Sequence, residues 1–167
     1  IKRAKSKIIA FIDSDDLWAK NKLKLQYNFM IKNKYDFTYT SYIAFKDKNL
    51  NFKKKIIPPK KFNFETFIKN TSIATSSVMI NKKIIKNIKI SKSASFDDFN
   101  FKCQILKKIN HAYCLNKNLL MYRIRDKSLS KNKLRNLIEL WKINNSFNKL
   151  GFFKNLISVV FISINSI

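Results

Sequence analysis

The sequence predicts an α/β fold, a sheet flanked by helices with a helical segment at the C-terminal end. Apolar or alternating segments rich in β-branched and aromatic residues, typical of strands, occupy 7–12, 36–45, 75–80 and 112–124. Segments with helical spacing or apolar character occupy 17–32, 62–70, 97–108, 134–150 and 152–167. Strands that alternate with helices along a chain are typical of α/β proteins.

The individual elements differ in how clearly the sequence marks them. Residues 7–12 are apolar enough for a strand buried on both faces of a sheet. Residues 46–61 are rich in lysine, contain Pro58-Pro59 and show little periodicity, which predicts a surface loop. A short helix is expected from Asn81. The strand at 112–124 is expected to break at Asn116-Lys117-Asn118.

Composition excludes several classes of protein. The chain has 167 residues, enough for one domain with a core, and its 46% hydrophobic content excludes a disordered protein. Gly151 is the only glycine, which excludes a dinucleotide fingerprint or a P-loop. With one histidine and no Cys-x-x-Cys, a zinc site is not expected. Cys103 lies in an apolar run and is predicted to be a core residue.

The net charge of +25 does not predict a nucleic-acid partner. Of the 35 basic residues only four are arginine, and the lysines are scattered through the chain. Lysine, isoleucine and asparagine have A/T-rich codons, so a biased genome explains much of this composition. We expect no nucleic-acid binding, although such a surface would favour anionic partners, including phospholipid headgroups.

The apolar strand at 7–12 leads directly into three carboxylates, in the segment Asp13-Ser14-Asp15-Asp16. In an extended backbone Asp13 and Asp15 point the same way and converge on one object. Two converging carboxylates suit Mg²⁺ or Mn²⁺. The alternative is a solvated turn whose aspartates cap a helix beginning near Leu17.

A second acidic pair, Asp97-Asp98, opens the helix at 97–108. Aspartate at a helix start also interacts favourably with the helix dipole, which is the structural explanation. The functional explanation is that an enzyme transferring a group to a hydroxyl needs a carboxylate to accept its proton.

Taken together, the motifs resemble glycosyltransferase family 2, the inverting enzymes of the GT-A (Rossmann-like) fold. The resemblance runs from residue 1 to about 150 and rests on four blocks in the family's order: Ala4 to Trp18 with Lys22-Leu23; Thr75 to Ile80; Phe96-Asp97-Asp98-Phe99; and Tyr122 to Ser130. It implies that residues 1–150 are the C-terminal portion of the family's catalytic domain and that residues 151–167 form an apolar tail helix.

The resemblance also implies roles for particular residues. Asp15 would hold the metal on the sugar-nucleotide diphosphate, and Asp13 would contact the ribose or assist the metal. Asp98 would be the base that activates the acceptor hydroxyl, beside Asp97, which replaces the family's usual glutamate. In addition, Arg125 would pair with phosphate, and Ser76 and Ser77 would lie near the acceptor pocket.

The resemblance further implies a nucleotide-sugar donor, a glycan or lipid-linked acceptor, and Mg²⁺ or Mn²⁺ as cofactor. The expected setting is cell-surface polysaccharide synthesis in the bacterial cytoplasm, at the inner face of the plasma membrane. The family's first strand should precede Asp13 by roughly 70 to 80 residues, by analogy with the family. We therefore expect a fragment that is inactive alone.

Two alternatives to glycosyl transfer remain open at this stage. A haloacid-dehalogenase-type phosphatase also places Asp-x-Asp after an apolar strand, but it wants Thr or Val where this chain has Leu17-Trp18. A non-catalytic remnant, a basic domain that associates with a membrane surface or with nucleic acid, would use its aspartates only as caps. The apolar tail at 155–167 is too short to span a bilayer, and is either a buried terminal helix or one lying in the membrane interface.

Overall fold

The computed structural model of the chain describes residues 3–46, 49–86, 88, 97–124 and 133–165. These residues form two compact units. The first comprises Ile1–Phe62, Ser72–Lys86 and His111–Arg125, and the second comprises Asn63–Thr71, Asn87–Asn110 and Asp126–Ile167. The predicted domain boundary at 150/151 remains a prediction.

The first unit is built on a mixed sheet of seven strands among the described residues. In chain order the strands are β1 (Ile8–Ala10), β2 (Leu17–Trp18), β3 (Phe37–Lys46), β4 (Asn49–Ile56), β5 (Lys61–Phe62), β6 (Met79–Asn81) and β7 (Ala112–Arg123). The main order is β1-β6-β3-β7-β2, with β4 beside β3 and β5 beside β7. Strands β3 and β7 pair in parallel, while the other pairs are antiparallel.

The predicted strand at 36–45 is confirmed as β3, which occupies the centre of the sheet. It pairs with β4, β6 and β7, and nearly all its residues are buried. The aromatic and β-branched residues of this segment suit a strand covered on both faces. Its Tyr39 hydroxyl donates to the carbonyl of Pro59 at 2.7 Å, which ties the segment before β5 to the sheet.

The surface loop predicted at 46–61 is wrong. Strand β4 forms an antiparallel hairpin with β3, in which Tyr42 faces Ile56 and Ile43 faces Lys55. Ile56 is buried while Lys54 and Lys55 are exposed. The lysine-rich sequence of this segment does not have the pattern of a strand. It forms one nevertheless, because backbone pairing with β3 supplies the hydrogen bonds whatever the side chains are.

Two predictions around the acidic segment also need correction. The helix expected from residue 17 begins only at Lys22, because Leu17 and Trp18 form β2 and pair with Met121 and Leu120. The strand expected at 7–12 is limited to β1 and is half-buried instead of buried on both faces. Among the described strands β1 pairs with β6 alone, and Ile12 is exposed.

The remaining strand predictions are right in place but wrong in detail. Residues 75–77 form a 3₁₀ turn, so the strand expected at 75–80 is reduced to β6. The break expected at 116–118 is a bulge in a continuous β7: Thr40 faces Leu115 while Ser41 faces Asn118. The extra residues disturb the register without ending the strand. The short helix expected after Asn81 is a 3₁₀ helix at Lys82–Ile85.

Helix α1 (Lys22–Lys32) ends in a backbone conformation that usually requires glycine. The amide of Tyr35 donates to the carbonyl of Met30, and that of Lys34 donates to Ile31, which is the Schellman pattern. In this pattern Lys34 takes the left-handed position with φ 56°. The chain therefore accepts a side chain where most helices place glycine.

We expect Lys34→Gly to raise the free energy of unfolding by about 0.5–1 kcal/mol. Relief of the left-handed strain exceeds the extra entropy that glycine gives the unfolded chain. Urea denaturation of the purified chain measures the change. The exposed Lys24 in the middle of α1 is the control, since Lys24→Gly should destabilise by about 1 kcal/mol. A loss of stability in Lys34→Gly would contradict the strain argument.

The second unit is helical. It contains α2 (Phe64–Phe67), α3 (Asp97–Leu106), α4 (Lys133–Ser146) and α5 (Phe152–Asn165), which confirms the helices predicted in these regions. Asn63 and Thr66 form a reciprocal capping box that starts α2. Cys103 is fully buried in α3, as predicted, and burial raises the pKa of its thiol to about 12.

Candidate functional site

The acidic segment after β1 forms a tight turn. The amide of Asp16 donates to the carbonyl of Asp13 at 3.1 Å, and the chain then enters β2. The expectation that an extended backbone aligns Asp13 with Asp15 is therefore wrong. The turn nevertheless gathers the carboxylates, because the charges of both Asp13 and Asp15 act on Asp16.

Asp16 lies at the base of this turn and was not singled out by sequence reasoning. It is buried, and one carboxylate oxygen accepts from the amide of Arg123 at 2.9 Å. The other oxygen is buried without a hydrogen-bond partner. Burial raises the pKa of the Asp16 carboxyl, hydrogen bonds from Ser76 and Arg123 partly oppose this, and the negative charges of Asp13 and Asp15 add to the increase. The turn thus carries two outer carboxylates above a buried one.

Ser76, predicted near the acceptor, holds both ends of the acidic turn. Its hydroxyl accepts from the amide of Asp13 at 2.9 Å, and its carbonyl accepts from the indole of Trp18 at 2.8 Å. The hydroxyl of Ser77 donates to the carbonyl of Ala74 at 2.6 Å. Both serines are fully buried. These contacts shape the two turns, and an acceptor-binding role stays a prediction.

Arg123, at the end of β7, is the second residue that sequence reasoning missed. Its Nε donates to the carbonyl of Asp15 at 2.8 Å, and its guanidinium lies 4.9 Å from the centre of the Phe45 ring. Arg123 therefore fastens the Asp15–Asp16 end of the acidic turn to β7. Arg125, the arginine that was predicted to approach phosphate, lies outside the described residues.

A buried lysine connects α1 to the same region. Lys22 is fully buried, donates to Gln26 at 2.8 Å, and lies 4.2 Å from the centre of the Trp18 ring. Gln26 in turn donates to the carbonyl of Ser77 at 2.9 Å. Burial lowers the pKa of Lys22 to about 8 from its ordinary 10.5. Helix α1 is thus joined to the acidic turn through the buried side chains of Lys22 and Gln26.

We expect Lys22→Met to remove a rise in stability with pH. Between pH 8 and 10.5 the unfolded chain holds a proton that the folded chain has lost, so folding becomes more favourable as pH rises. From about pH 7 to about pH 10 the free energy of unfolding should rise about 2 kcal/mol more in the unaltered chain than in Lys22→Met. Denaturant titrations at each pH measure the difference.

The matched control is the exposed Lys24→Met on the same helix, which should leave the pH dependence unchanged. If Lys22→Met and the unaltered chain show the same pH dependence, Lys22 keeps its proton in the folded state. That result would contradict the lowered pKa that follows from its burial.

The second acidic pair forms the first two residues of α3, in the second unit. Asp98 accepts from the amide of Phe99 at 2.7 Å and pairs with the ammonium of Lys102 at 2.9 Å. The carboxylate side chain is 55% exposed, whereas that of Lys102 is only 4% exposed. A buried lysine therefore orients an exposed aspartate from below. Asp97 is half-buried.

The structure brings some predicted site residues together. Asp13, Asp15 and Ser76 meet at the acidic turn of the first unit, with Ser77 in the adjoining 3₁₀ turn. Asp97 and Asp98 belong to the second unit.

The acidic turn offers ligands for a divalent cation. Asp13 is exposed and Asp15 half-buried, and Asp16 adds negative charge beneath them. Their oxygens are the hard donors that Mg²⁺ and Mn²⁺ prefer. In the part of the chain that the structure describes, no three His, Cys, Asp or Glu side chains are placed to hold a metal ion together. A cation at the turn would therefore need further ligands, such as water and a bound phosphate.

The fold matches that of GT-A glycosyltransferases. The crystal structure of S. aureus TarS 1-349 in complex with UDP-GlcNAc aligns with a TM-score of 0.64 at 16% identity, over 96% of this chain and 49% of that chain. At this identity the match shows the fold alone.

The sequence comparisons identify the family. The model described as Glycosyl transferase family 2 matches residues 1–89, more than half of the chain. The chain belongs to glycosyltransferase family 2.

Curated relatives span most of this chain. TuaG of Bacillus subtilis, named as a candidate teichuronic acid biosynthesis glycosyltransferase, is 30% identical over 92% of this chain and 61% of its own length. WfgD of Escherichia coli, a UDP-Glc:α-D-GlcNAc-diphosphoundecaprenol β-1,3-glucosyltransferase, is 29% identical over 88% of this chain and 57% of its own. WfaP of the same species and named activity is 32% identical over 83% and 54%. The chain thus spans little more than half the length of these relatives.

Within the described residues, no helix is both long and apolar enough to cross a bilayer.

Proposed function

We propose that the protein carrying this chain transfers a sugar from a nucleotide-sugar donor to a hydroxyl of a glycan or lipid-linked acceptor, with inversion at the anomeric carbon. The observation that carries the proposal is the acidic turn, where Asp13, Asp15 and Asp16 are held in place by contacts with Ser76 and Arg123. Neighbouring carboxylates repel one another, and a bound cation would offset that repulsion. Family membership favours this activity over the phosphatase alternative.

In this proposal Asp15 would hold Mg²⁺ or Mn²⁺, and Asp13 would assist it or contact the ribose of the nucleotide. The ion would supply charge neutralisation for the leaving diphosphate. The Ser76 hydroxyl accepts from the backbone amide of Asp13, and the Arg123 side chain donates to the backbone carbonyl of Asp15. These bonds fix the turn in advance, so the carboxylates need no reordering when the donor arrives. Arg125 adds a positive charge for the phosphates.

Asp98 is the proposed general base. It accepts the proton of the acceptor hydroxyl while that oxygen attacks the anomeric carbon from the face opposite the leaving diphosphate, which inverts the configuration. An exposed carboxylate fixed by the buried Lys102 suits this role, because it meets solvent and substrate in one orientation. Asp97 supports the start of α3 through the helix dipole.

The relatives favour a setting in cell-surface polysaccharide synthesis. The two E. coli relatives are named for a diphosphoundecaprenol acceptor, and the B. subtilis relative for teichuronic acid biosynthesis. TarS structures contain UDP-GlcNAc or UDP. We extend these features to the present protein as a nucleotide-sugar donor, an acceptor carried on a lipid, and a location at the cytoplasmic face of the plasma membrane.

The test is transfer by the purified full-length protein. Nucleotide sugars labelled in the sugar are offered with a synthetic sugar-diphosphate lipid, in Mn²⁺ or Mg²⁺ and in excess EDTA, and the anomeric configuration of the product is read by NMR. The proposal requires metal-dependent transfer with inversion. Retention at the anomeric carbon, or transfer in full in EDTA, would contradict it. Folded protein that releases and transfers no sugar from any donor would instead favour a non-catalytic remnant.

A further inference from the structure

Helix α5 buries two polar side chains, Asn155 and Ser158, and leaves most of its apolar side chains exposed to solvent. Asn155, Ser158 and Ile162 are the buried residues of this helix. On the outward side, Phe153 is 77% exposed and Ile164 is 74% exposed. The other exposed apolar residues are Phe152, Leu156, Ile157, Val160 and Phe161. A helix that packs on a water-soluble protein normally shows the opposite arrangement.

Hydrogen bonds within the second unit hold α5 in this orientation. The hydroxyl of Ser158 donates to the carbonyl of Ile68 at 2.5 Å and accepts from Asn144 at 2.9 Å. The amide of Asn155 donates to the carbonyl of Trp141 at 3.1 Å. Turning the apolar side inward would break these buried bonds and leave their partners unsatisfied. The outward apolar face is therefore a fixed feature of the fold.

The apolar surface continues onto α4. A shallow groove of about 350 Å³ is lined by Leu137, Ile138, Trp141, Lys142 and Val159, and Ile138 is itself half exposed. Trp141 packs edge-on against Phe152, with ring centres 5.6 Å apart. Contiguous exposed apolar surface of this kind marks a site of contact with a protein or a membrane.

The charge of the chain decides between a protein and a membrane as the contact of this surface. From residue 140 to residue 167 the chain has no acidic residue and three lysines, and the whole chain carries +25. Lys142, Lys149 and Lys154 are exposed around α5. Lys142 pairs with Glu139 at 3.3 Å and Lys154 with Glu65 at 3.2 Å, so the positive charge beside α5 comes mainly from Lys149 and from the excess of the whole chain. A second copy of so basic a chain would be repelled, whereas an anionic lipid surface would be attracted. A helix of 14 residues is about 21 Å long, which suits one lying along a bilayer surface.

We propose that the outward face of α5, with the adjoining groove on α4, lies in the interface of an anionic bilayer. Phe153, Ile157, Val160 and Ile164 enter the boundary between headgroups and acyl chains, and the lysines around them contact the headgroups. The proposal uses residues of the second unit alone and does not depend on the transfer reaction, since an inactive chain would bind in the same way.

The experiment is flotation of the 167-residue chain with vesicles of phosphatidylcholine, with or without about one-third phosphatidylglycerol, at about 0.15 M salt. Binding to the anionic vesicles is expected. The double substitution Phe153→Ser with Ile157→Ser should weaken binding at least tenfold, because it removes two apolar side chains that are buried on binding. The control pair, Ile31→Ser with Ile57→Ser, alters equally exposed apolar residues of the first unit and should leave binding unchanged.

Three results would overturn the proposal. Equal binding by both double variants would show that the charge alone drives adsorption. Failure of the unaltered chain to float with anionic vesicles would remove the contact altogether. Finally, sedimentation velocity without lipid could show an oligomer that Phe153→Ser with Ile157→Ser converts to monomers, which would assign the face to a second copy. Circular dichroism of both variants confirms that each is folded before its binding is scored.

Discussion

Asp98→Asn should lower the turnover of the full-length protein by about 10²- to 10⁴-fold while the affinity for the donor stays nearly unchanged. Asparagine keeps one oxygen, which can still accept from the amide of Phe99 and so preserve the start of α3. What is lost is the ability to take a proton, together with the bond from Lys102, because an amide nitrogen stands where that second oxygen was. Turnover with saturating donor and acceptor, together with calorimetric donor binding, separates the two effects.

The adjacent Asp97→Asn is the matched control, with the same change of charge one residue earlier in the helix. Consecutive residues on a helix point in different directions, so Asp97 cannot reach the hydroxyl that Asp98 reaches. Its replacement should cost much less turnover. If Asp98→Asn keeps full turnover, Asp98 is a helix cap and the proposed base lies elsewhere.

Asp15→Asn should weaken Mg²⁺- or Mn²⁺-dependent donor binding by about 100-fold. Removing a residue that only supports a metal ligand can weaken binding by about this factor, and removing a ligand itself should weaken it at least as much. The neutral amide no longer offsets the charge of the ion. The backbone carbonyl of Asp15, which accepts from Arg123, is untouched by the substitution, so the turn should keep its shape. Titration calorimetry with a UDP-sugar, with the ion and in EDTA, measures the loss.

Ser14→Ala is the control for Asp15→Asn, because Ser14 is an exposed residue of the same turn and carries no charge. It should bind the donor as the unaltered protein does. Binding that is equally strong in EDTA, or unaffected by Asp15→Asn, would contradict the role of the turn as a cation site.

The sequence predicted the fold class and most helices because their signals are local. The aromatic and β-branched residues of β3 indicate a buried strand by themselves, and the acidic start of α3 marks a helix by itself. Strands β2 and β4 carry no such signal. Leu17 and Trp18 become a strand only because Met121 and Leu120 lie beside them, and the lysines of β4 pair through their backbone with β3.

The candidate site was predictable only in part, for the same reason. Asp13 and Asp15 stand out in the sequence, but the geometry that unites them does not. Asp16 looks like one more exposed aspartate until the structure shows it buried against the amide of Arg123. Such contacts between residues 107 positions apart leave no periodic trace in the chain.

The long separations within the acidic turn have a consequence for folding. The contacts that shape it join residues 58, 63, 107 and 108 positions apart, so nearly the whole first unit must assemble before the turn exists. Loop-closure entropy therefore opposes formation of the turn in the unfolded chain. In the proposed function, donor and cation would bind only the native state, and at about 100 times their dissociation constant they would stabilise it by about 2.7 kcal/mol. On that proposal, a cell that runs short of the nucleotide sugar would hold the protein in a less stable form, more open to proteolysis.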